Sequence, residues 1–146
     1  MKRISDKKYN EFRSYFPFTC VDLLIFQNNE ILLTKRTINP FKGFWHLPGT
    51  IIRRNENMKD AVKRAAKKEL NTEIKIIKYL GVYESRNRFR HDISHGYLVD
   101  IIKGKIKTDF QSDEFRFYKN FPKKIVPHHK EMIKDAKKFQ ECNKFN

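Results

Sequence analysis

The sequence predicts a single α/β or α+β domain in which a mixed β-sheet is covered by helices. Its 146 residues are enough for one hydrophobic core and too few for two, which excludes a second catalytic domain. Strand-like apolar segments outnumber helical ones, and hairpin links alternate with longer connections. These observations predict one domain that comprises residues 1–146.

The amino-terminal part predicts a helix and then a hairpin. Ser5 can cap a short helix, and Pro17 ends it. The apolar run that follows is typical of a buried strand and contains one acid, Asp22. Asn28-Asn29 predicts a tight turn, because asparagine tolerates positive φ, and EILLTKR is then the returning strand.

The rest of the chain predicts an alternation of strands with two helices. In order, the elements are a loop at 37–43, a short strand at FWHLPG, a helix at 57–71, strands at 73–84, 93–103 and 113–119, and a helix that begins near Pro127. A basic loop, SRNRFRH, joins the first two of these long strands. Proline is well tolerated in the first helical turn, so Pro127 marks the start of the last helix.

Charge and cysteine content limit the classes of function. The net charge of +15 favours polyanionic partners, namely phosphorylated small molecules, nucleic acid or an acidic membrane surface. A lysine-rich genome would produce the same excess, so charge alone does not choose among them. Cys20 and Cys142 have no zinc-site spacing, and neither a structural zinc nor a disulfide framework is expected. With a charged amino terminus and no membrane-length apolar run, we expect a soluble cytoplasmic protein without a membrane partner.

The helix at 57–71 carries an acid in the middle of its apolar face. At about 100° per residue, Glu69 falls inside the arc formed by Ala61, Val62, Ala65, Ala66 and Leu70. An ionised, unpaired carboxylate there would cost several kcal/mol. A metal ion, an arginine or a water-filled cleft must therefore compensate it. From the helix alone, a metal ligand and a buried Glu–Arg pair are equal hypotheses.

The stretch from Leu32 to Leu70 resembles the Nudix hydrolase signature together with its approach. Glu56, Arg64 and Glu69 match the family pattern. The positions that depart from it are Thr50, Ala65, Lys68, Asn71 and Thr72. The GDP-mannose mannosyl hydrolases lose the same two glutamates, at Ala65 and Lys68, and the likeness to them extends upstream through LLxKRTxxPxxGxW. The resemblance implies a Nudix fold, in which a mixed β-sheet is sandwiched between helices.

The resemblance also implies a set of site residues. Mg²⁺, or alternatively Mn²⁺, would be held by the Gly49 carbonyl, Glu69 and Gln111, which offer the hard oxygen ligands that Mg²⁺ takes. The residues implied in catalysis are Glu69, Arg36 and Arg64, and those implied in substrate binding are Asp22, Arg36 and Arg64. Glu56 is interpreted as structural, anchoring Arg64. The resemblance favours a homodimer.

Three positions differ from the subfamily. Ile51 replaces a second arginine, Gly96 replaces a tyrosine, and Ser112 stands where a histidine would be the general base. A serine hydroxyl is no base near neutrality, so another group would have to activate the water. The candidates are Asp113, Glu114, His91 and His95, each of which is more often a solvated surface residue. Lys68 reverses a charge and favours a single metal ion, whether it points inward or lies solvated at the rim.

Three functions follow from these observations. The first is a Mg²⁺-dependent hydrolase of a nucleoside diphosphate derivative, above all a nucleotide sugar such as GDP-mannose. The second is a Nudix pyrophosphatase that cleaves a P–O bond, against which the missing glutamates count. The third is a weakly active or inactive module that binds nucleotides or RNA ends through its positive charge. A small-molecule partner is favoured over nucleic acid.

Overall fold

Three helices and eight strands make up the described part of the computed structural model, residues 4–108 and 112–144. The helices are α1 (Asp6–Tyr15), α2 (Met58–Leu70) and α3 (Pro127–Asn143). The strands are β1 (Phe18–Leu24), β2 (Phe26–Gln27), β3 (Glu30–Arg36), β4 (Trp45–His46), β5 (Gly49–Ile51), β6 (Glu73–Arg86), β7 (His91–Lys103) and β8 (Ser112–Tyr118). None of the described helices is long and apolar enough to cross a membrane.

The strands form two four-stranded sheets. In the first, the order is β5-β1-β7-β6, and β1 and β7 are parallel while the other pairs are antiparallel. In the second, β3 pairs antiparallel with β2, β4 and β8. The parallel strands β1 and β7 cannot be joined by a tight hairpin, and they lie far apart in the sequence. The predicted mixed-sheet class is confirmed.

Two apolar clusters lie on opposite faces of β1, one formed with α2 and the other with α3. Val21 and Leu23 of β1 pack in the cluster that contains α2, whereas Leu24 packs in the cluster that contains α3. β1 is therefore buried on both faces, which explains its nearly continuous apolar sequence. Asp22 is the one carboxylate in this buried strand.

The local signals in the sequence are confirmed at most element ends. Ser5 caps α1 by accepting a hydrogen bond from the backbone N–H of Lys8, and the two asparagines of the predicted turn have φ of 52° and 64°. Asn57 caps the start of α2, and Asn71 ends it in the left-handed conformation. Each of these polar side chains or backbone states satisfies groups that a helix end or tight turn would leave unpaired.

Two predicted segments differ from the structure. FWHLPG is not one strand, because β4 pairs with β3 in one sheet and β5 pairs with β1 in the other. Pro48, between them, has no N–H to continue a ladder. The basic loop is also shorter than predicted, since the pairing of β6 with β7 continues to Arg86 and His91.

Candidate active site

Arg64 on α2 is held by the loop that precedes the helix. Its Nε and Nη2 groups donate to the two carboxylate oxygens of Glu56 at 2.6 and 2.9 Å. It also donates to the Thr50 hydroxyl at 3.1 Å and the Ile51 carbonyl at 2.9 Å. These hydrogen bonds lower the pKa of Glu56 to about 2. The interpretation that Glu56 anchors Arg64 is confirmed, and the role of Arg64 with a diphosphate stays a prediction.

Glu69 lies where the helical pattern predicts it. It is 5% exposed on the same face as Ala65, Ala66 and Leu70, which are fully buried. Lys68 is exposed, as expected for the solvated rim position. The apolar face of α2 therefore delivers one carboxylate to the interior.

Arg36 ends β3 and supports the loop that follows it. Its Nε donates to the Pro40 carbonyl at 2.7 Å, and its backbone bonds to Gly43 and Phe44 close the loop. Its two Nη groups have no partner among the described residues. Burial lowers the pKa of Arg36, Arg90 lowers it further, and the charge of Glu69 opposes this change. Arg36 is thus a half-buried cation in the field of the α2 carboxylate.

Asp22 and Gly49 face each other across the β1–β5 ladder. A side chain at Gly49 would collide with the Asp22 carboxylate and would lie 2.6 Å from the Val21 carbonyl, so only glycine fits. Asp22 Oδ2 is buried and has no hydrogen-bond partner among the described residues. Burial raises the pKa of Asp22 to about 7, although hydrogen bonding from Ser94 opposes the rise.

Three histidines that sequence reasoning missed lie near this aspartate: His129 faces it, and the rings of His46 and His128 lie 6.3 and 4.3 Å from that of His129. His129 Nδ1 accepts the Leu47 N–H at 3.0 Å, which leaves its proton on Nε2, 3.8 Å from Asp22 Oδ1. The His46 ring contacts the Thr34 hydroxyl at 3.1 Å. Burial lowers the pKa of His46 to about 3, that of His128 to about 4 and that of His129 well below the usual value. All three rings are therefore neutral at physiological pH.

A second buried ion pair, also missed, attaches the amino-terminal helix. Arg90 donates to Asp92 at 2.7 Å and to the Tyr9 hydroxyl on α1 at 2.9 Å. Its guanidinium also contacts the Cys20 sulfur at 3.6 Å. Arg90 belongs to the segment predicted as a basic loop, and its contacts with Tyr9 on α1 and Cys20 on β1 show its role.

Among the described residues, the candidate general bases are engaged elsewhere. Ser112 is buried, and its hydroxyl has no partner among the described residues. Glu114 pairs with Lys35 at 2.9 Å, His91 with Glu84 at 2.8 Å, and His95 with the Tyr79 hydroxyl at 2.9 Å. The predicted ligand Gln111 and the side chain of Asp113 lie outside the described part of the chain.

Comparisons with known proteins agree with this architecture. The NUDIX domain family model matches residues 17–141. A protein named ADP-ribose pyrophosphatase from Methanocaldococcus jannaschii is 37% identical over an alignment of 139 positions, which covers 92% of this chain and 82% of that protein. The low-salt glycan biosynthesis protein Agl8 of Haloferax volcanii is 34% identical over 82 residues, which are 56% of this chain and 53% of that protein.

A solved structure extends the agreement to the fold. The MutT NUDIX hydrolase from Burkholderia pseudomallei superposes with a TM-score of 0.78 at 20% identity, over 83% of this chain and 98% of that chain. This superposition shows a common fold, and at such low identity it gives no information about the substrate.

Proposed function

The chain belongs to the NUDIX family and is a Nudix hydrolase, and from that premise we propose that its substrate is a nucleoside diphosphate joined to a sugar. We further propose that one Mg²⁺ ion, or Mn²⁺ in its place, supports the reaction, and that water adds to the sugar carbon while the nucleoside diphosphate departs.

Arg36 is the observation that carries this proposal. Its guanidinium is half-buried, yet its Nη groups meet no carboxylate among the described residues. Buried charges in folded proteins are normally paired, so an arginine in this state is suited to an anionic ligand. The planar fork of a guanidinium matches two phosphate oxygens at once. A diphosphate is the anion that this family's substrates supply.

The oxygen donors fit one magnesium ion. Glu69 offers a buried carboxylate, Gly49 offers a main-chain carbonyl at a position where no side chain could stand, and Gln111 is the predicted third ligand. Among the described residues, no three His, Cys, Asp or Glu side chains cluster as a metal site. Mg²⁺ commonly takes only one or two carboxylates and fills its other positions with water and phosphate. When bound, the ion would lower the charge on the departing nucleoside diphosphate.

The protein's own groups would act around that ion. Arg36 would hold the diphosphate. Arg64 attaches α2 to β5 and to the preceding loop through its hydrogen bonds with Glu56, Thr50 and Ile51. Asp22 Oδ2 accepts a hydrogen bond from a sugar hydroxyl, which would satisfy a buried oxygen that otherwise lacks a partner among the described residues. Positioning of this kind can supply a large share of the rate increase.

A second candidate is cleavage of the P–O bond within the diphosphate. It is favoured by the name of the Methanocaldococcus jannaschii relative, ADP-ribose pyrophosphatase. It is disfavoured by α2, whose acids are Asp60 in the exposed first turn and Glu69, with Ala65 and Lys68 at positions where the family pattern has glutamates. Fewer carboxylates hold fewer metal ions, and one ion suits departure of an already good leaving group.

Product analysis distinguishes the two reactions. The protein would be incubated with GDP-mannose and with ADP-ribose in water enriched in ¹⁸O, with Mg²⁺, with Mn²⁺ or with a chelator. Label in the free sugar, together with an intact nucleoside diphosphate, supports the proposal. Label in a phosphate, together with a nucleoside monophosphate, supports the pyrophosphatase. Nucleotide binding without turnover would favour the inactive-module hypothesis. Light scattering on the same sample tests the proposed homodimer.

A further inference from the structure

A cavity of about 260 Å³ opens between the loop after β3, the β6–β7 hairpin and the start of α3. It is lined by Phe41, residues 84–87, Pro127 and His128. We propose that this cavity binds the nucleobase of the substrate and that Phe41 is its stacking surface. The inference rests on the proposed function and adds the site that would recognise the nucleoside.

Two short chains of contacts connect the cavity to the site. Phe41 follows Pro40, whose carbonyl accepts the Arg36 Nε hydrogen bond at 2.7 Å. The first chain, through Pro40, puts Phe41 within reach of a nucleoside attached to a diphosphate that Arg36 holds. In the second, the His128 ring lies 4.3 Å from that of His129, whose Nε2 lies 3.8 Å from Oδ1 of Asp22, the aspartate proposed to bind the sugar. Mannose 1-phosphate is therefore among the fragments tested below.

The charges around the cavity favour a neutral group over a phosphate. The Glu84 carboxylate pairs with Arg86 at 3.3 Å and with His91 at 2.8 Å, so the arginine on the rim is already compensated. His128 is half-buried, and desolvation lowers its pKa to about 4, so its ring is neutral. Among the described residues, the Nη groups of Arg36 have no partner, and Arg36 is assigned to the proposed diphosphate site and not to the cavity.

Flat rings and a polar rim favour a base over a sugar. Phe41 and His128 provide planar surfaces, on which any nucleobase can stack. Asn87 Oδ1 accepts the N–H groups of Phe89 and Arg90 at 2.8 and 3.1 Å, which leaves the Nδ2 donor of Asn87 for a ligand. Together with the Glu84 carboxylate, the rim offers a donor and an acceptor to a base edge.

Size and backbone conformation agree with this assignment. Pockets that enclose drug-sized ligands are about 300–1,000 Å³, so the smaller cavity suits one ring system and not the whole substrate. Phe41 has φ of 64°, an unfavourable conformation for a bulky residue. Its ring is kept there by an edge contact with Phe44 at 5.6 Å between ring centres. Strain of this kind is concentrated at functional sites.

The test measures binding of fragments, separately from turnover. Calorimetry with ADP, GDP, pyrophosphate and mannose 1-phosphate compares wild type with Phe41→Ala, Asn87→Ala and a control, Phe89→Ala. Phe89 is an exposed aromatic in the same hairpin that does not line the cavity. We expect Phe41→Ala to weaken ADP or GDP about 5- to 150-fold, the range for loss of a base-stacking aromatic. Pyrophosphate affinity and the control variant should be unchanged, and Phe41→Trp should restore nucleotide binding.

Other outcomes overturn the inference in distinct ways. Equal losses for pyrophosphate would mean that Phe41 only supports Arg36, and a loss confined to mannose 1-phosphate would assign the cavity to the sugar. Unchanged nucleotide affinity in both Phe41→Ala and Asn87→Ala removes the base from the cavity. If Phe41→Ala does not fold, Asn87→Ala and the ranking of ADP against GDP decide. Nucleotide binding that depends on Phe41, without hydrolysis of any nucleotide sugar, would reject the proposed function alone.

Discussion

Arg36 and Arg64 are both withdrawn from solvent, but their surroundings differ. The Arg64 side chain is 18% exposed, and its guanidinium donates hydrogen bonds to Glu56, Thr50 and Ile51. Arg36 makes one hydrogen bond to a carbonyl, and its Nη groups have no partner among the described residues. The resemblance to the Nudix subfamily implies that both bind a diphosphate. A count of hydrogen-bond partners separates the arginine that holds the protein together from the one that is available to a ligand.

The carboxylates show the same division. Hydrogen bonds from Arg64 lower the pKa of Glu56 to about 2, as in a satisfied structural pair. Burial raises the pKa of Asp22 to about 7, and one of its oxygens lacks a partner among the described residues. Buried polar groups that remain unsatisfied destabilise the fold, so an Asp22 oxygen in this state, within the electrostatic influence of Arg36, supports the proposed ligand site.

The largest effect should come from the carboxylate on the ligand side. Glu69→Gln keeps the shape of the side chain and removes its charge, so we expect Mg²⁺-dependent hydrolysis to be abolished while the fold persists. Asp60→Asn removes the other acid of α2 and should leave activity near wild type, because Asp60 is exposed. Activity assays and Mg²⁺ titration calorimetry check this. A Glu69→Gln protein that binds Mg²⁺ like wild type would remove Glu69 from the metal site.

Removing the structural arginine should next lower stability. Arg64→Ala leaves the nearly buried Glu56 carboxylate without its partner, and we expect a loss of about 2–4 kcal/mol in the free energy of unfolding. Urea titration at neutral pH measures it, and Arg64→Lys should recover part of the loss. An Arg64→Ala protein with wild-type stability and much weaker nucleotide binding would place Arg64 with the substrate and erase the contrast with Arg36.

The opposite result is expected for Arg36. Arg36→Ala should weaken binding of ADP or GDP by about 1.5–3 kcal/mol, the range for a charged hydrogen bond. Stability should change little, because the guanidinium makes one hydrogen bond, to a carbonyl, among the described residues. Arg54→Ala, an exposed arginine in the loop before α2, is the matched control. Unchanged nucleotide affinity in calorimetry would exclude Arg36 from the site.

Local patterns in the sequence predict the helices, most strands and the inward Glu69, because capping, turn and periodicity signals act over a few residues. They do not predict the cluster of three neutral histidines, His46, His128 and His129. Leu47, beside His46, bonds to His129 across 82 positions of sequence, and Arg90 reaches Tyr9 across 81. Such contacts depend on the register of β1 with β7 and on the docking of α3. The split of FWHLPG between two sheets was missed for the same reason.

Acid sensitivity gives the smallest predicted effect per side chain and compares the two regions within one measurement. On the structural side, Glu56 has a lowered pKa, so its contribution is complete above the unfolded value of 4.5 and is lost as pH falls toward about 2. On the ligand side, His46 has a pKa of about 3 when folded and 6.5 when unfolded. As pH falls below 6.5, His46 takes up a proton in the unfolded chain but not in the folded protein. This histidine therefore lowers the free energy of unfolding even in mild acid.

We therefore expect stability to fall between pH 6.5 and 5, before Glu56 titrates, by about 1 kcal/mol per pH unit for each fully buried histidine. Asp22 acts in the opposite direction, because its raised pKa stabilises the protein below about 4 and that contribution is lost as pH rises through about 7. Because the pKa values of His46, His128 and His129 are all lowered, the histidines outweigh Asp22.

Urea titrations at several pH values measure this effect. The free energy of unfolding should change less steeply with pH in His46→Gln, whereas His91→Gln, at an exposed position paired with Glu84, should retain the wild-type slope. If His46→Gln retains the wild-type slope, the His46 ring of the wild type is already protonated or solvated in the folded protein. The histidines would then give no support to the contrast between the two regions.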